Sequence, residues 1–299
     1  MPTDVTALLT SYLEEQGIYL HGVLPLSSCH IFKPWVLSRA GIDADTGYAL
    51  MFAIPYLTPD SDTKDRNLSA YAVSSDYHLY VRQMAQDWLP RLQEKFPGFH
   101  FLCSADTSPI DEVAAAVDAG IGIIGMNHLL LTQRHSSYVF IGELLTDLSL
   151  CPTPSPLAPE DRHCNRCGRC QRSCPKGEGI CLSALTQKKG VLTSEEEQKI
   201  LTLGSVWGCD ICQEVCPYTL RARENGTLYT EIPFFRQTAL PHLTLAELDA
   251  MTDEELGERA YAWRGRETIR RNLVLFASHR ASDASVKGDK DKESSTCCI

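Results

Sequence analysis

Two cysteine-rich runs decide how the centre of this chain folds. Residues 164–175 read CNRCGRCQRSCP, and residues 209–217 read CDICQEVCP. The first run contributes four cysteines, the second contributes three, and one more lies between the runs. The full set is Cys164, Cys167, Cys170, Cys174, Cys181, Cys209, Cys212 and Cys216. Thiols at such short and regular intervals predict a metal centre rather than ordinary core packing.

The first run has the C-x2-C-x2-C-x3-C-P spacing of bacterial ferredoxins. Three thiolates on a tight loop can bind three irons of one cubane, while the fourth, displaced by a helical turn, reaches a second cluster. By this crossover rule one 4Fe–4S cluster takes Cys164, Cys167, Cys170 and Cys216, and the other takes Cys174, Cys181, Cys209 and Cys212. A pair of zinc sites is the alternative, although zinc sites seldom use a four-cysteine run that ends in proline.

Composition limits the classes of protein to consider. The chain has 299 residues, 43 % of them hydrophobic, which is enough for one large domain and smaller ones beside it. Acidic residues within residues 1–17 argue against a secretory signal, and no apolar run is long enough to span a membrane. Thirteen cysteines then predict a cytoplasmic protein with reduced thiols. The net charge of -10 means that a nucleic-acid partner would need a local basic patch.

Hydrophobic periodicity predicts an α+β fold. Helical spacing marks residues 5–13 and 77–92, whereas short apolar runs rich in branched and aromatic residues predict strands at 18–24, 49–54, 100–103 and 137–144. Outside the two cysteine runs, Cys29, Cys103 and Cys151 are expected to be ordinary buried thiols.

The same patterns divide the chain into consecutive parts. Residues 1–150 form the α+β domain, and four prolines within 151–159 end it. Residues 151–220 form a ferredoxin-like module with two 4Fe–4S clusters, including a helix at 194–203 that Ser194 can cap. Residues 221–280 form a helical segment, and the polar residues 281–299 are expected to be a disordered tail.

Four segments of the chain resemble the epoxyqueuosine reductases. Residues 106–109 (DTSP) followed by 119–127 (AGIGIIGMN) are similar to the stretch that carries that family's catalytic aspartate and lines its cobalamin pocket. Residues 71–78, 181–187 and 207–217 are similar to its tyrosine-rich segment, its solitary fifth cysteine and its closing cysteine motif. The resemblance spans roughly residues 20–278.

The resemblance implies a fold, a chemistry and a substrate. Residues 1–150 would be an α/β domain that binds base-off cobalamin, above which a modified guanine of the tRNA anticodon wobble position lies. The clusters would reduce the cobalamin, and the epoxide of epoxyqueuosine would become the alkene of queuosine. The cofactor contacts would come from Tyr77, His78, Gly125, Asn127, Thr132 and Ser137.

Asp106 matches the family's proton donor. Desolvation raises the pKa of a carboxyl group, so an aspartate in a closed pocket could serve as an acid. The structural alternative is that Asp106 caps a helix that begins near Pro109, since Asp-x-x-Pro is an ordinary helix start.

The chain also departs from the family. Ile123, Ile124 and Met126 stand where the family usually has Trp and Lys, and Ser75 stands where it usually has Arg. The C-terminal helical repeats of some members are missing. These changes fall at the expected cofactor pocket.

The resemblance also implies partners. The tRNA anticodon stem-loop would meet basic residues Lys188, Lys189, Arg266 and Arg270, although these could equally form a solvated helix face. An external donor of the ferredoxin or flavodoxin type would supply electrons to a monomer, with no membrane involved. Two alternatives stay open: an electron-transfer or reductive-activation protein that binds no corrinoid, and a cobalamin-dependent reductase of another small substrate.

Overall fold

The computed structural model describes residues 5–153, 158–177 and 179–293, with the backbone alone described from residue 280 onward. These residues form two compact units whose segments alternate along the chain. The first unit comprises Met1–Asp62, Ser74–Cys174 and Ile211–Ala239, and the second comprises Thr63–Val73, Pro175–Asp210 and Leu240–Ile299. The chain crosses between the two units several times, and the four consecutive parts predicted from sequence stay a prediction.

A four-stranded antiparallel sheet forms the centre of the first unit. Its strands are β1 (Leu20–Pro25), β2 (Tyr48–Pro55), β3 (Phe101–Ala105) and β6 (Val139–Thr146), while β4 (Ile123–Ile124) and β5 (Leu130–Leu131) form a separate hairpin. The order across the sheet is β1-β2-β6-β3. All four predicted strands overlap these four, so the prediction of a mixed helix and strand fold is confirmed.

The two central strands pack closely through one glycine. Phe52 of β2 pairs with Gly142 of β6, and a Cβ atom at Gly142 would lie 2.2 Å from the Phe52 ring. Glycine is therefore required at this position if the aromatic ring is to cover the neighbouring strand.

The helices of both units alternate along the chain as their segments do. In chain order they are α1 (Val5–Glu15), α2 (Pro34–Ala40), α3 (Tyr77–Lys95), α4 (Glu112–Asp118), α5 (Arg169–Arg172), α6 (Leu182–Thr186), α7 (Ser194–Leu203), α8 (Ile211–Glu214), α9 (Pro217–Glu224), α10 (Pro233–Gln237), α11 (Leu245–Ala250), α12 (Asp253–Gly257) and α13 (Arg266–Glu293). Within the first unit, Tyr12 of α1 stacks on Trp88 of α3 at 4.7 Å between ring centroids. Both predicted N-terminal amphipathic helices are therefore present, and they pack on each other through their aromatic faces.

The second unit is helical around a small apolar core. Leu182, Leu185, Leu192 and Ile200 are buried there, with Leu275 and Phe276 of α13 packed against them. The start of α7 differs from the prediction that Ser194 caps it. Thr193 is the cap: its hydroxyl accepts from the Glu196 backbone N–H at 3.3 Å, and the Glu196 carboxylate accepts from Thr193 N at 2.9 Å. This reciprocal capping box satisfies two backbone N–H groups, which a cap at Ser194 would not achieve.

Asp210, between two cysteines of the second run, has a structural role in the second unit. Its buried carboxylate accepts hydrogen bonds from the Ser69 hydroxyl at 2.6 Å and the Ala70 backbone N–H at 2.7 Å, and it pairs with Arg66 at 3.2 Å. A buried carboxylate needs such partners, so Asp210 fixes the backbone beside Cys209.

The C-terminal segment contains the longest helix of the described residues. Helix α13 continues to Glu293, through residues 281–293 for which the sequence predicted disorder, and the rest of that predicted tail, 294–299, lies outside the described residues. A helix satisfies its own backbone hydrogen bonds, so one can form in this segment without burying apolar side chains. Among the described residues, no helix combines the length and the apolar character needed to cross a membrane.

Candidate functional site

Four cysteines of the first unit line one cavity. They are Cys164, Cys167, Cys170 and Cys216, the set predicted for one cluster. The loop between the first three is tight because Arg166 and Gly168 both adopt positive φ, at 52° and 73°. Cys216 precedes Pro217 at the start of α9, so helix geometry directs its sulfur to the same cavity. Local backbone conformation thus brings together thiols from both cysteine runs.

The chemistry of this cavity suits an iron–sulfur cluster. Burial raises the pKa of the Cys216 thiol, the backbone N–H groups of Tyr218 and Thr219 oppose that rise, and the nearby Cys170 and Cys164 thiols add to it. Bound iron would favour the thiolate form of these cysteines and would offset the repulsion between their negative charges. Within the described residues, no three Cys, His, Asp or Glu side chains are gathered as a single metal ion requires. That observation is compatible with a cubane, which spaces its ligands more widely than one tetrahedral ion.

The other four cysteines are divided between the units. Cys174 and Cys212 belong to the first unit, and Cys181 and Cys209 to the second. Their assignment to a second cluster stays a prediction from sequence.

A second cavity of the first unit, of about 190 Å³, brings acidic and aromatic groups together. Asp106, Glu112 and His128 line it, together with Tyr77, Ser137, Phe140 and aliphatic residues of the hairpin and of β6. The Tyr77 ring stacks on Phe140 with centroids 3.8 Å apart and planes 8° from parallel. These two rings form a flat aromatic wall beside the acids.

Asp106 is the exposed acid of this cavity. Its side chain is 65 % exposed, and its Oδ2 lies 3.9 Å from Nε2 of His78. Its backbone has a φ of 61°, and its N–H donates to Oε2 of Glu112 at 3.2 Å. The sequence predicted that the Asp106 carboxyl would be desolvated. In the structure Asp106 is exposed, and the desolvated carboxyl is that of its neighbour Glu112.

The structural alternative for Asp106 is wrong. Helix α4 begins at Glu112, and its cap is Asp111, whose side chain accepts from the Ala114 backbone N–H at 3.1 Å. Because Asp111 already occupies the cap position, Asp106 does not stabilise the helix start.

Two acids near Asp106, the half-buried Glu112 and the buried Glu143, were missed from sequence. Burial, together with the carboxylates of Asp106 and Glu143, raises the pKa of Glu112 to about 7. Glu143 is 1 % exposed, and its carboxylate accepts from the hydroxyls of Ser104 and Ser108 at 2.7 Å each. Burial raises the pKa of Glu143 as well, against the effect of those hydrogen bonds. The one sequence signal was an acid within the apolar strand FIGELL (140–145), since such a residue is buried only with partners.

His78 is held in place by the start of α3. Its backbone N–H and its ring Nδ1–H both donate to Oδ1 of Asp76, at 2.9 Å and 2.7 Å. That hydrogen bond raises the pKa of the imidazole more than burial lowers it. The imidazole therefore holds its proton more tightly than a free histidine does, and its Nε2 faces Asp106.

The six predicted cofactor contacts fall into three groups. Tyr77 and Ser137 line the acidic cavity, with His78 next to it, whereas Gly125 and Asn127 line the cysteine cavity. Thr132 lies in neither: its hydroxyl donates to the Ser136 carbonyl at 3.0 Å and closes a turn. The acidic cavity, at about 190 Å³, is smaller than the roughly 300–1,000 Å³ of ordinary ligand pockets. By itself it does not fit a corrin macrocycle.

The hairpin of β4 and β5 joins the two cavities. Gly125, Met126, Asn127 and Leu131 face the cysteines, and residues 128–130 face the acids. The hairpin is hydrogen-bonded to the first cysteine run, because Ile124 N donates to Arg162 O at 2.8 Å and Cys164 N donates to Ile124 O at 2.9 Å. One short element therefore separates the candidate cluster from the candidate reaction site.

The predicted tRNA-binding residues are largely engaged within the second unit. Lys188 pairs with Glu196 at 2.7 Å, Arg270 with Asp249 at 3.0 Å, and Arg266 with Asp253 at 3.1 Å. Lys189 is exposed. Phosphate contacts by the first three would compete with these carboxylates, and their role in binding RNA stays a prediction.

The three cysteines that precede the first run, Cys29, Cys103 and Cys151, are not alike. Cys29 and Cys103 are partly buried, and burial raises the pKa of each thiol to about 12. Cys151 is exposed, so the prediction of a buried thiol is wrong there. Its place at the start of the proline-rich stretch, beyond the last strand, explains the exposure.

Comparison with known proteins gives a consistent result. No family model matches the chain. It is 31 % identical over 258 residues to the epoxyqueuosine reductase of Lactococcus garvieae, covering 81 % of this chain and 71 % of that protein. It is 35 % identical over 198 residues to the epoxyqueuosine reductase of Pseudomonas aeruginosa, covering 63 % of this chain but only 52 % of that protein. The chain thus spans about half the length of several relatives that it matches.

Solved structures share the fold. The epoxyqueuosine reductase of Streptococcus thermophilus superposes with a TM-score of 0.66 at 22 % identity, covering 97 % of this chain and 86 % of that one. A second epoxyqueuosine reductase, solved with an epoxyqueuosine-modified tRNA-Tyr stem loop, gives a TM-score of 0.66 at 24 % identity, covering 91 % and 80 %.

Proposed function

Since this chain belongs to the epoxyqueuosine reductase family, we propose that it is an oxidoreductase that reduces epoxyqueuosine to queuosine at the wobble position of tRNA. It uses two 4Fe–4S clusters and base-off cobalamin, takes electrons from an external ferredoxin or flavodoxin, and acts as a cytoplasmic monomer. The observation that carries the proposal is the hairpin shared by the cysteine cavity and the acidic cavity. It offers a short path from an electron source to a proton source.

The reaction requires both sources. An epoxide, two electrons and two protons give an alkene and water. Clusters pass electrons singly, and cobalamin, when bound, supplies the strongly reducing centre. Because the acidic cavity is too small for the macrocycle, it suits the reacting part of the substrate, and cobalamin would need space beyond it.

The residues of the acidic cavity have distinct tasks in this proposal. Asp106, exposed to the cavity, donates the proton to the departing oxygen, and His78, whose Nε2 lies 3.9 Å from Oδ2, orients its carboxyl. Glu112, whose pKa of about 7 is raised in part by the negative charge of Asp106, is about half protonated at neutral pH and supplies the proton that Asp106 passes on. The aromatic wall of Tyr77 and Phe140 offers a face on which a planar base can pack.

The surface beside Asp106 also suits RNA. Lys33 donates from its side chain to the Thr107 carbonyl at 3.3 Å, and both Phe32 N and Lys33 N donate to the Pro109 carbonyl. Phe32 and Trp35 are 52 % and 64 % exposed. Exposed aromatic side chains around a cation favour base stacking and phosphate attraction, so this segment can support an RNA loop at the reaction site.

The direct test is deoxygenation of modified tRNA. The full chain, reconstituted anaerobically with iron, sulfide and cobalamin, should convert epoxyqueuosine in tRNA to queuosine, seen as loss of one oxygen atom in nucleoside mass spectra. Unchanged tRNA with reduced clusters would refute the proposal. Absence of bound corrinoid after gel filtration would then favour the electron-transfer alternative, whereas retained corrinoid would favour a different substrate.

The raised pKa of Glu112 leads to a prediction of how turnover depends on pH. Its pKa of about 7 means that the carboxyl is protonated below that pH and ionised above it. If this proton is used, single-turnover rates should fall about tenfold per pH unit above 7. The decline should be absent in Glu112→Gln, which cannot ionise. Glu94→Gln, at an exposed position on α3, is the matched control and should keep the wild-type profile. If the fall in rate above pH 7 persists in Glu112→Gln, the decline is caused by another group.

A further inference from the structure

Asn127 is a half-buried residue that lines the cysteine cavity. Its Nδ2 is buried and has no hydrogen-bond partner among the described residues. Its Oδ1 accepts from the Leu129 backbone N–H at 3.4 Å. Because Oδ1 already has a donor, the two ends of the amide are distinguished, and the unpaired end is the N–H donor.

The turn around Asn127 holds this amide in position. Gly125 N donates to Leu129 O at 2.9 Å, and His128 N donates to Gly125 O at 2.9 Å. A Cβ atom at position 125 would lie 2.2 Å from the Asn127 Oδ1, so only glycine leaves room for the amide to lie over the backbone. The hydrogen bonds of Ile124 with Arg162 and Cys164 then fix this turn against the first cysteine run.

A buried donor without an acceptor costs folding free energy, so a native chain keeps one where an acceptor is supplied. The cavity that Asn127 lines is otherwise formed by four cysteines, by glycine and apolar residues, and by Asn165 and Tyr218, neither of which accepts a hydrogen bond from Asn127 Nδ2. Once a 4Fe–4S cluster is bound, the acceptors that this cavity can supply to Asn127 are sulfur atoms. Hydrogen bonds to cluster sulfurs stabilise the added negative charge of the reduced state and raise the reduction potential.

We propose that Asn127 Nδ2 donates a hydrogen bond to a sulfur atom of the 4Fe–4S cluster held by Cys164, Cys167, Cys170 and Cys216, and that it thereby raises the reduction potential of that cluster. The inference rests on the cluster assignment of the proposed function. It assigns Asn127 to the electron source rather than to the cobalamin contact that the family resemblance implied. Asn127 is thus a positioning residue that acts on the cluster and not on the substrate.

The test is a redox titration of the reconstituted full chain, followed by electron paramagnetic resonance. In Asn127→Leu one of the two clusters should become harder to reduce, with a loss of about tenfold in the equilibrium constant, equivalent to about 60 mV for one electron. Asn127→Asp keeps the shape but replaces the donor with an acceptor, so its shift should be at least as large. The second cluster should keep its potential in both variants.

Asn165 provides a matched control. It has the same amide and lines the same cavity, but it is exposed, and water can replace its hydrogen bonds. Asn165→Leu should therefore leave both potentials unchanged. Full iron content with unchanged potentials in Asn127→Leu would overturn the inference. If Asn127→Leu loses iron, the isosteric variant Asn127→Asp becomes the test. An unchanged cluster potential in Asn127→Asp would then overturn the inference. A wild-type chain that binds no cluster would instead refute the proposed function.

Discussion

Asp106→Asn should lower the rate of epoxide reduction by about 10²- to 10⁴-fold, the usual contribution of a positioned general acid. The amide keeps the shape of the carboxyl but has no acidic proton to give to the departing oxygen. Asn tolerates the positive φ of 61° at this position as well as Asp does, so the backbone is not strained. Single-turnover assays on modified tRNA measure the loss.

The same substitution should leave the folded state nearly unchanged. The Asp106 side chain is 65 % exposed, and exposed substitutions away from caps usually change the free energy of unfolding by less than about 0.5 kcal/mol. Asp111→Ala is the matched control, because it removes the real cap of α4 and should cost roughly 1 kcal/mol of stability. Near-normal turnover by Asp106→Asn would remove Asp106 from the mechanism, and a large loss of stability would assign it a structural role.

Cys216→Ala should abolish turnover and remove one cluster. Cys216 is the buried member of the four-cysteine cavity, and alanine leaves the cluster without its fourth ligand. Metal analysis after anaerobic reconstitution should fall from about eight to about four irons per chain, with sulfide falling in parallel. Alanine is preferred to serine here, because a serine hydroxyl at the start of α9 could still bind iron.

Cys151→Ala controls for the loss of a thiol. Cys151 is exposed and lies outside both cysteine runs, so its removal should leave iron, sulfide and turnover at wild-type values. Unchanged iron content in Cys216→Ala would show that the cluster assignment is wrong. Stoichiometric zinc without sulfide in the wild-type chain would do the same and would restore the zinc alternative.

The sequence by itself determined the features that depend on neighbouring residues. The spacing of Cys164, Cys167 and Cys170 predicted thiols on one tight loop, and the structure gathers them with Cys216 in one cavity. Periodicity located the four strands of the sheet, because the residue pattern of each short segment reflects side-chain alternation and burial. The bounds of α7 were predicted correctly but its cap was misplaced by one residue, since Ser194 and Thr193 are both good caps and only the position of Glu196 relative to each distinguishes them.

Only the tertiary structure decided which distant side chains meet. Glu112 from α4 and Glu143 from β6 join Asp106 because the sheet order places β6 beside β3, and burial then sets the pKa of Glu112. Asn127 and His128 are adjacent in sequence yet face different cavities, because a tight turn reverses the chain between them. The basic residues of the second unit were predicted to bind tRNA or to form a solvated helix face, and the structure shows that three of them have carboxylate partners. Periodicity and spacing report on local conformation, whereas burial, pairing and pKa depend on long-range contacts that the path of the chain creates.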